Sequence, residues 1–348
     1  MNQRMVKNIK VAWQCPSNIA LVKYWGKRHF QLPENPSLSF SLKSSFSETS
    51  LEIIPGGLGK VSFSFDGRES SFGKRVEAFI QYLSQECPWM RKAGFQVASK
   101  NTFPHSAGIA SSASAFGSLA LCLADIDQQI RGTEAGLGDI QLLASRWARM
   151  GSGSACRSVY GGFSLWGRTS LFESSGDEYA IPLNNMVHPV FRELKNAVLL
   201  VSPDEKKVSS SDGHKLMEDN LFKRSRIAQA HEHLHRLYLS LLTGDKQSFI
   251  EIAEAEALSL HAMMLTSKPP YILLKPNSIE IIQKVKQFRE QTGIPLGYTI
   301  DAGPNIHLLY FTENKTGVQT FIERDLLNYC EGRHWIDDGI GEGPLKVL

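Results

Sequence analysis

The stretch PHSAGIASSASAFGSLALCLADI, residues 104–126, places small side chains at nearly every position ahead of an apolar run. The run predicts a helix over 113–125, which puts Ser111 and Ser112 beside the first backbone amides of that helix. Those amides and the helix dipole attract anions, and Gly108 lets a ligand approach the backbone closely. Because no lysine follows the glycine, the stretch is not a Walker A loop. It therefore fits a tightly packed helix or an anion-binding loop, and residues elsewhere must separate the two.

Length and composition are those of an ordinary globular protein. The chain has 348 residues, enough for two domains or one large α/β unit; 42% are hydrophobic and 21% are charged. A net charge of +3, from 38 basic and 35 acidic residues, is too small to predict a nucleic-acid partner. The N-terminal MNQRMVKNIKVAW lacks the apolar core of a secretory signal, and no apolar run approaches the roughly 20 residues that span a bilayer.

The five cysteines are odd in number and show no CxxC spacing. This pattern argues against a disulfide framework and against a structural zinc site, and it fits a reducing compartment. We therefore expect a soluble, cytoplasmic protein without a membrane or nucleic-acid partner.

The sequence before about residue 190 predicts a mixture of strands and helices. Apolar and hydroxyl side chains alternate along the first segments, which is typical of a half-buried sheet. The helices carry apolar residues at three- and four-residue spacing, and Asp139 is a candidate cap for the last of them. We predict strands over 37–54, 60–67 and 95–101, and helices over 71–85, 113–125 and 139–150.

The pattern restarts after about residue 190. A buried strand over 196–202 precedes a polar loop that runs into a helix over 207–220. Further helices are predicted over 219–242, 246–264 and 276–293, a strand–turn–strand over 296–311, and a closing helix near 317–330. Strands and helices in mixed order, twice over, predict an α+β fold of two domains, 1–190 and 191–348, with a cleft between them.

Three segments carry residues suited to binding or catalysis. GSGSACRSVYGG, residues 151–162, surrounds Arg157 with glycine and serine, and an arginine can offer a planar fork to a carboxylate or phosphate. TIDAGPN, residues 299–305, places Asp301 at the end of an apolar strand, where a catalytic base would belong. SNIALVKYWGKR, residues 17–28, adds cations and aromatic residues. Each has an ordinary alternative: a glycine-rich turn, a turn-capping aspartate and an amphipathic strand.

One motif points to different chemistry. HEHLH, residues 231–235, matches the H-E-x-x-H zinc-protease pattern on a predicted helix. A third histidine stands between the ligand positions, the neighbouring sequence is rich in Arg, Lys and Gln, and no third ligand is evident. We interpret the motif as a partly solvated helix face and predict no metal site built by the protein alone.

Taken together and in this order, the segments resemble the signature blocks of the diphosphomevalonate decarboxylases, a family of the GHMP kinase superfamily. The resemblance covers most of the chain. GSGSACRS and DAGPN are specific to that family, whereas the P-x-x-x-G-x-x-S-S loop is shared with the small-molecule kinases of the superfamily. The blocks are SNIALVKYWGKR, PHSAGIASSASA, RMGSGSACRSVYGGF, VSSSDGH, LHAMMLTSKPPY and TIDAGPN.

The resemblance implies a two-domain GHMP-kinase-like fold with the active site in the cleft between the halves, and a homodimer. It implies that ATP, with Mg²⁺ bound to it, phosphorylates the tertiary hydroxyl of (R)-5-diphosphomevalonate, and that phosphate and carbon dioxide then leave to give isopentenyl diphosphate. The catalytic residues it implies are Asp301, Lys23 and Arg157. The substrate-binding residues are Tyr24, Trp25, Gly26, Lys27, Arg68, Ser152, Gly153, Ser154, Ala155, Cys156, Arg157 and Ser211; the ATP phosphates would lie on Ser106, Gly108, Ser111 and Ser112.

The sequence departs from the family pattern in three places. His105 replaces a small hydroxyl residue, the segment 29–36 is shorter than in many relatives, and Ile306 and His307 follow the DAGPN turn in place of small aliphatic residues. A monophosphate substrate therefore stays open. The alternatives are a phosphomevalonate decarboxylase, a mevalonate 3-kinase, and a catalytically silent small-molecule-binding protein on the same fold.

Overall fold

The computed structural model describes residues 8–104, 109–133, 136–202 and 210–348, with the backbone alone for residues 210 and 211. These ranges form two sheets flanked by helices, the α+β fold that the sequence predicts. The strands are β1 (Ile9–Val22), β2 (Ser37–Pro55), β3 (Val61–Phe65), β4 (Arg68–Glu69), β5 (Ala93–Asn101), β6 (Phe163–Trp166), β7 (Ala180–Pro182), β8 (Lys195–Leu199), β9 (Gly297–Thr299), β10 (Ile306–Tyr310), β11 (Trp335–Gly339) and β12 (Leu345–Lys346).

The helices pack on the faces of these sheets. Short 3₁₀ turns join several of them. The α-helices are α1 (Gly73–Leu83), α2 (Ser111–Arg131), α3 (Leu137–Gly151), α4 (Ala155–Ser158), α5 (Pro189–Arg192), α6 (Ser210–Lys215), α7 (Lys223–Thr243), α8 (Lys246–Leu265), α9 (Pro276–Thr292) and α10 (Lys315–Phe321).

The larger sheet is built around β1 and β2. Its main path runs β12–β1–β2–β5–β3–β4, while β6 pairs with a second part of β2 and β7 pairs with β6. Every pair is antiparallel except β3 with β5. The smaller sheet runs β11–β8–β10–β9 and is antiparallel throughout.

Helix α2 contains most of the small-residue stretch and packs tightly on the larger sheet. Its side chains from 116 to 127 are buried. The Ser118 hydroxyl lies 2.6 Å from the Thr49 hydroxyl of β2, so the hydroxyl residues of helix and strand satisfy one another. A Cβ atom on Gly117 would lie 2.5 Å from Cys15 Sγ of β1. Small residues in the body of this helix therefore serve close packing.

One hydrophobic core joins the two sheets. Leu21 and Phe40 of the larger sheet share a cluster with Val198 and Leu309 of the smaller sheet and with Phe249 of α8. The C-terminal strand β12 also returns to β1. The boundary near residue 190 stays a prediction.

Three local predictions differ from the structure. A helical segment is present near 317–330, where α10 widens into a π turn and ends in a 3₁₀ turn, but it does not close the chain, because β11 and β12 follow it. Asp139 is the third residue of α3, not its cap, and its carboxylate accepts a hydrogen bond from the Gly136 backbone N–H at 3.2 Å. The glycine-rich segment after α3 contains a short helix, α4, whose four residues are buried.

Candidate active site

Lys23 and Asp301 form an ion pair between the two halves of the chain. Strand β1 ends at Val22, so Lys23 is the first residue after it, and its side chain is 2% exposed. Asp301 follows β9 in the turn that leads to β10, and its side chain is 23% exposed. The distance from Lys23 Nζ to Asp301 Oδ1 is 2.7 Å. Asp301 is therefore the member of the ion pair that solvent reaches.

The charge of Lys23 depends on its neighbours. Burial lowers the pKa of Lys23, because an ammonium group loses its hydration in the protein interior. The charge and hydrogen bond of Asp301, and the charge of Glu256, oppose that shift, while the charge of Arg157 adds to it. The ammonium group is therefore held by two carboxylates against burial and a nearby cation.

Arg157 lies in α4 with its guanidinium buried beside this pair. Its Nε donates a hydrogen bond to Asn18 Oδ1 at 3.2 Å, and its Nη1 donates to the Ser37 hydroxyl. Burial lowers the pKa of Arg157, and the charge of Asp301 is among the groups that oppose the shift. An arginine stays protonated even so, because its ordinary pKa is far above neutrality. Asn18 and Ser37 fix the plane of the guanidinium group.

Tyr24, Trp25 and Gly26 form a short segment that His214 of α6 holds in place. The His214 ring centroid lies 4.4 Å from that of Tyr24 and 4.7 Å from that of Trp25. Its Nδ1 accepts a hydrogen bond from the Gly26 backbone N–H at 3.0 Å, so the ring proton sits on Nε2. Burial, together with the charge of Lys27, lowers the pKa of His214 to about 3, so the ring is neutral at physiological pH.

The Tyr24 hydroxyl is a buried polar group for which the described residues supply no hydrogen-bond partner. It points toward the loop after α3, where a Cβ atom on Gly153 would lie 2.8 Å from it. Glycine at position 153 therefore leaves room beside the hydroxyl. In the same loop Ser152 and Ser154 are partly exposed, and the Ser154 carbonyl accepts a hydrogen bond from Asn18 at 3.0 Å. Ala155 and Cys156, the first two residues of α4, are buried.

A cleft of about 740 Å³ begins directly after the Tyr24–Gly26 segment and is rich in cationic side chains. Lys27, Arg75 and Lys215 line it, together with Glu218. Burial lowers the pKa of Lys27, and the charges of Lys215 and Arg75 lower it further. Such a cluster favours an anionic ligand that carries several charges.

The N-terminus of α2 contacts the loop between α3 and α4, residues 152–154, which we call the glycine–serine loop. Ser112 Oγ lies 3.2 Å from Ser152 Oγ, and Ser111 Oγ donates to the Ile109 carbonyl at 3.3 Å. The residue before the helix is Ala110, whose side chain has no acceptor for the first amides. Ser106 and Gly108, the other two residues assigned to ATP, lie outside the described residues.

Family models match both halves of the chain. The diphosphomevalonate decarboxylase-like N-terminal domain matches residues 15–177, and the mevalonate 5-diphosphate decarboxylase C-terminal domain matches residues 197–335. The chain belongs to the diphosphomevalonate decarboxylase family.

Relatives and solved structures agree with this membership. The diphosphomevalonate decarboxylase of Candida albicans is 31% identical over 326 residues, which are 88% of this chain and 86% of the relative. The mevalonate diphosphate decarboxylase structure from Staphylococcus aureus matches with a TM-score of 0.84 and 28% identity over 98% of this chain and 99% of that one. A structure described as MDDEF in complex with MVAPP, AMPPCP and magnesium matches with a TM-score of 0.81 and 29% identity over the same shares. The fold of this decarboxylase family member is therefore GHMP-kinase-like.

The family resemblance assigned Arg68 and Ser211 to the diphosphate, and the structure describes the side chain of Arg68 alone. Arg68 is exposed on the short strand β4 and is not among the residues that line the cation-rich cleft. For Ser211 the structure describes the backbone in α6, and its side chain lies outside the description. Arg75 was missed, because in the sequence it is one more polar residue of a predicted amphipathic helix.

The HEHLH segment lies in α7. His231, Glu232 and His235 are exposed, whereas His233 is buried with Nδ1 at 2.7 Å from Glu256 Oε1. Across the described ranges, no three His, Cys, Asp or Glu side chains come together in a way that would hold a metal ion. In the same ranges every helix is too short or too polar to span a membrane.

Proposed function

We propose that this family member converts (R)-5-diphosphomevalonate and ATP into isopentenyl diphosphate, ADP, phosphate and carbon dioxide. The observation that carries the proposal is the Lys23–Asp301 pair beside the buried Arg157, at the point where the two halves meet. The related structure solved with MVAPP, AMPPCP and magnesium supports both substrates and the accompanying Mg²⁺.

Asp301 is the group that engages the tertiary hydroxyl of the substrate. It is the reachable member of the ion pair, since its side chain is 23% exposed whereas Lys23 is 2% exposed. Its carboxylate accepts the hydroxyl proton while the oxygen attacks the terminal phosphorus of ATP, and ADP leaves as the new O–P bond forms. The proton then passes to the transferred phosphate, so that the side chain is a carboxylate again. When the C–O bond of the phosphorylated alcohol breaks and phosphate leaves, positive charge develops on the tertiary carbon, and the carboxylate stabilises it. The electrons of the bond to the departing carboxylate form the double bond, and carbon dioxide leaves.

Arg157 binds and orients that departing carboxylate. Its Nε and one N–H of Nη1 are already engaged by Asn18 and Ser37. The edge formed by Nη1 and Nη2 is the part of the fork that can donate two parallel hydrogen bonds to a carboxylate. We also place Tyr24 on the substrate, because its buried hydroxyl has no partner in the described protein and faces the glycine–serine loop.

The substrate diphosphate belongs in the cation-rich cleft, on Lys27, Arg75 and Lys215. After burial, the charges of Lys215 and Arg75 lower the pKa of Lys27, so a diphosphate that neutralises these cations is bound favourably. Arg75 takes the place that the family resemblance gave to Arg68, because Arg75 lines the cleft and is held there by Phe72, with its guanidinium carbon 5.0 Å from the ring centroid.

ATP phosphates belong at the N-terminus of α2, on the first amides and on Ser111 and Ser112. This helix has 21 residues, so its dipole favours an anion at that end. Mg²⁺ enters with the nucleotide phosphates and shields their charge. We further expect a homodimer, as the family resemblance implies. The location is expected to be reducing and cytoplasmic, since all five cysteines fall in the described ranges as buried free thiols.

The test is an assay of purified protein with ATP, Mg²⁺ and, separately, mevalonate, its 5-phosphate and its 5-diphosphate. We expect ADP and carbon dioxide in equal amounts from the diphosphate alone. Decarboxylation of the monophosphate would indicate a phosphomevalonate decarboxylase, and ADP without carbon dioxide from mevalonate would indicate a 3-kinase. Binding of these compounds without any ADP release would leave only a silent binding protein.

A further inference from the structure

Glu256 of α8 lies directly behind the active-site lysine. Its carboxylate is fully buried, and Oε2 accepts a hydrogen bond from the backbone N–H of Lys23 at 2.8 Å. The last residue of β1 that pairs with β2 is Val22, which pairs with Leu38. Glu256 therefore supplies an acceptor for the first peptide beyond the paired part of the strand.

Two side chains of α7 hold the same carboxylate from the other side. Arg226 donates from Nη1 to Oε1 at 3.0 Å and from Nη2 to Oε2 at 2.5 Å, and His233 Nδ1 lies 2.7 Å from Oε1. Burial raises the pKa of Glu256, but the hydrogen bond of His233 and the charge of Arg226 outweigh it and hold the pKa below its usual value. The carboxylate is thus charged and fixed, and the middle histidine of HEHLH has a role that is not metal binding.

The other end of the Lys23 residue is anchored as well. Its carbonyl oxygen accepts hydrogen bonds from Asn35 Nδ2 at 3.0 Å and from Arg226 Nη2 at 3.5 Å. The backbone is therefore held at both the N–H and the carbonyl, and the side chain extends from this fixed point to Asp301.

Three charged groups bear on the ammonium group of Lys23. They are Asp301 from the β9–β10 turn, Glu256 from α8 and Arg157 from α4. Burial and Arg157 lower the pKa of Lys23, while Asp301 and Glu256 raise it. Removing the charge of Glu256 must therefore lower the pKa of Lys23 further.

We propose that Glu256 is a positioning residue for the reaction, which fixes the backbone of Lys23 so that its ammonium group meets Asp301. The kinetic consequence rests on the proposed function, whereas the state of Lys23 can be measured in the protein without substrate.

The first experiment is a titration of the lysine side chains by NMR, with the Lys23 signal assigned by its loss in Lys23→Arg. Glu256→Gln keeps the shape of the side chain and removes the charge, and we expect the pKa of Lys23 to fall by more than about 0.5 unit. The matched control is Glu254→Gln on the same helix, because Glu254 is also buried and paired with an arginine, Arg289, at 2.7 Å. We expect this control to leave the Lys23 signal unchanged.

The second experiment compares kinetics of the same variants. In Glu256→Gln we expect kcat to fall at least tenfold, the KM for diphosphomevalonate to change less than about threefold, and the alkaline limb of kcat to move to lower pH. Glu256→Asp keeps the charge but shortens the reach; it should fold, lose turnover and keep the position of that limb. A wild-type protein without carbon dioxide release would overturn the proposed function and leave the titration to decide on Glu256.

Two outcomes overturn the proposal. One is an unchanged Lys23 titration in Glu256→Gln. The other is an equal loss of kcat in the Glu254 and Glu256 variants, since that would mean that a buried carboxylate of α8 acts through stability alone.

Discussion

At the residue scale, the carboxylate of Asp301 can be tested separately from the turn that carries it. The turn is held by backbone groups: the Asp301 carbonyl accepts from the Gly303 N–H at 2.7 Å and lies 3.1 Å from His261 Nε2. Asp301→Asn preserves these contacts and removes the charge. We expect turnover to fall on the order of 10³-fold or more, with the unfolding transition still cooperative. Carbon dioxide release above about a tenth of the wild-type rate would exclude Asp301 as the catalytic group.

His214 should make the stability of the protein depend on pH in the acid range. Its pKa is about 3 in the folded protein, and an unperturbed histidine titrates near 6.5. Between these values the unfolded chain binds a proton that the folded protein does not, so stability is present above pH 6.5 and is lost as the pH falls. The loss between pH 7 and pH 5 is about 2 kcal/mol for this one group.

The comparison variant is His214→Phe, which keeps an aromatic ring beside Tyr24 and Trp25 but cannot titrate. Urea unfolding of both proteins at pH 7 and pH 5 measures the difference. We expect the wild type to lose about 2 kcal/mol more than the variant over this interval. Equal losses in the two proteins would show that His214 does not titrate on unfolding as its burial requires.

At the scale of elements, the sequence predicts those segments whose periodicity reflects one buried face. Helix α1 buries Val76, Phe79, Ile80 and Leu83 on one side, and buried and partly buried residues alternate along β2 from residue 45 to 53. The helical segment near 317–330 was predicted because Val318, Phe321, Ile322 and Leu326 follow helical spacing, but its π turn and the strands after it were not. Strand β12 has two residues, too few for any period to show.

The candidate site is predictable where a motif carries it and not where the fold assembles it. Lys23, Arg157 and Asp301 stand in recognisable blocks. Arg75 and Glu256 do not, because each is a polar residue of an ordinary helix. The contact of Glu256 with Lys23 spans 233 positions of the sequence, a distance at which local patterns carry no information.

Close packing of α2 on β1 is a property of these two elements and gives a separate prediction. Gly117→Ala adds a methyl group 2.5 Å from Cys15 Sγ, and we expect a loss of about 1–3 kcal/mol in the free energy of unfolding. The control is Gly138→Ala in the exposed first turn of α3, where no atom of the described residues lies within 4 Å of the added Cβ. There alanine should stabilise by up to about 1 kcal/mol, because it restricts the unfolded chain. A harmless Gly117→Ala in denaturant titrations would mean that α2 tolerates a larger separation from β1.

At the scale of the whole molecule, the shared core makes the two halves interdependent. Leu21 and Phe40 of the larger sheet pack with Val198 and Leu309 of the smaller one, and β12 returns to pair with β1. The active-site pair of Lys23 and Asp301 forms across the same junction. The geometry of the site therefore depends on the relative position of the two sheets.

We predict from this core that the two halves unfold in one transition, since neither can keep its apolar surface buried alone. Two signals report on different parts of the chain. Far-UV circular dichroism includes the long helices α7, α8 and α9 of the second half, whereas tryptophan fluorescence reports mostly on the first half. The denaturation midpoints from the two signals should coincide. Fluorescence that is lost while most of the helical signal persists would show that the halves unfold as separate units. The tryptophans are Trp13, Trp25, Trp89, Trp147 and Trp166 before residue 190, and Trp335 after it.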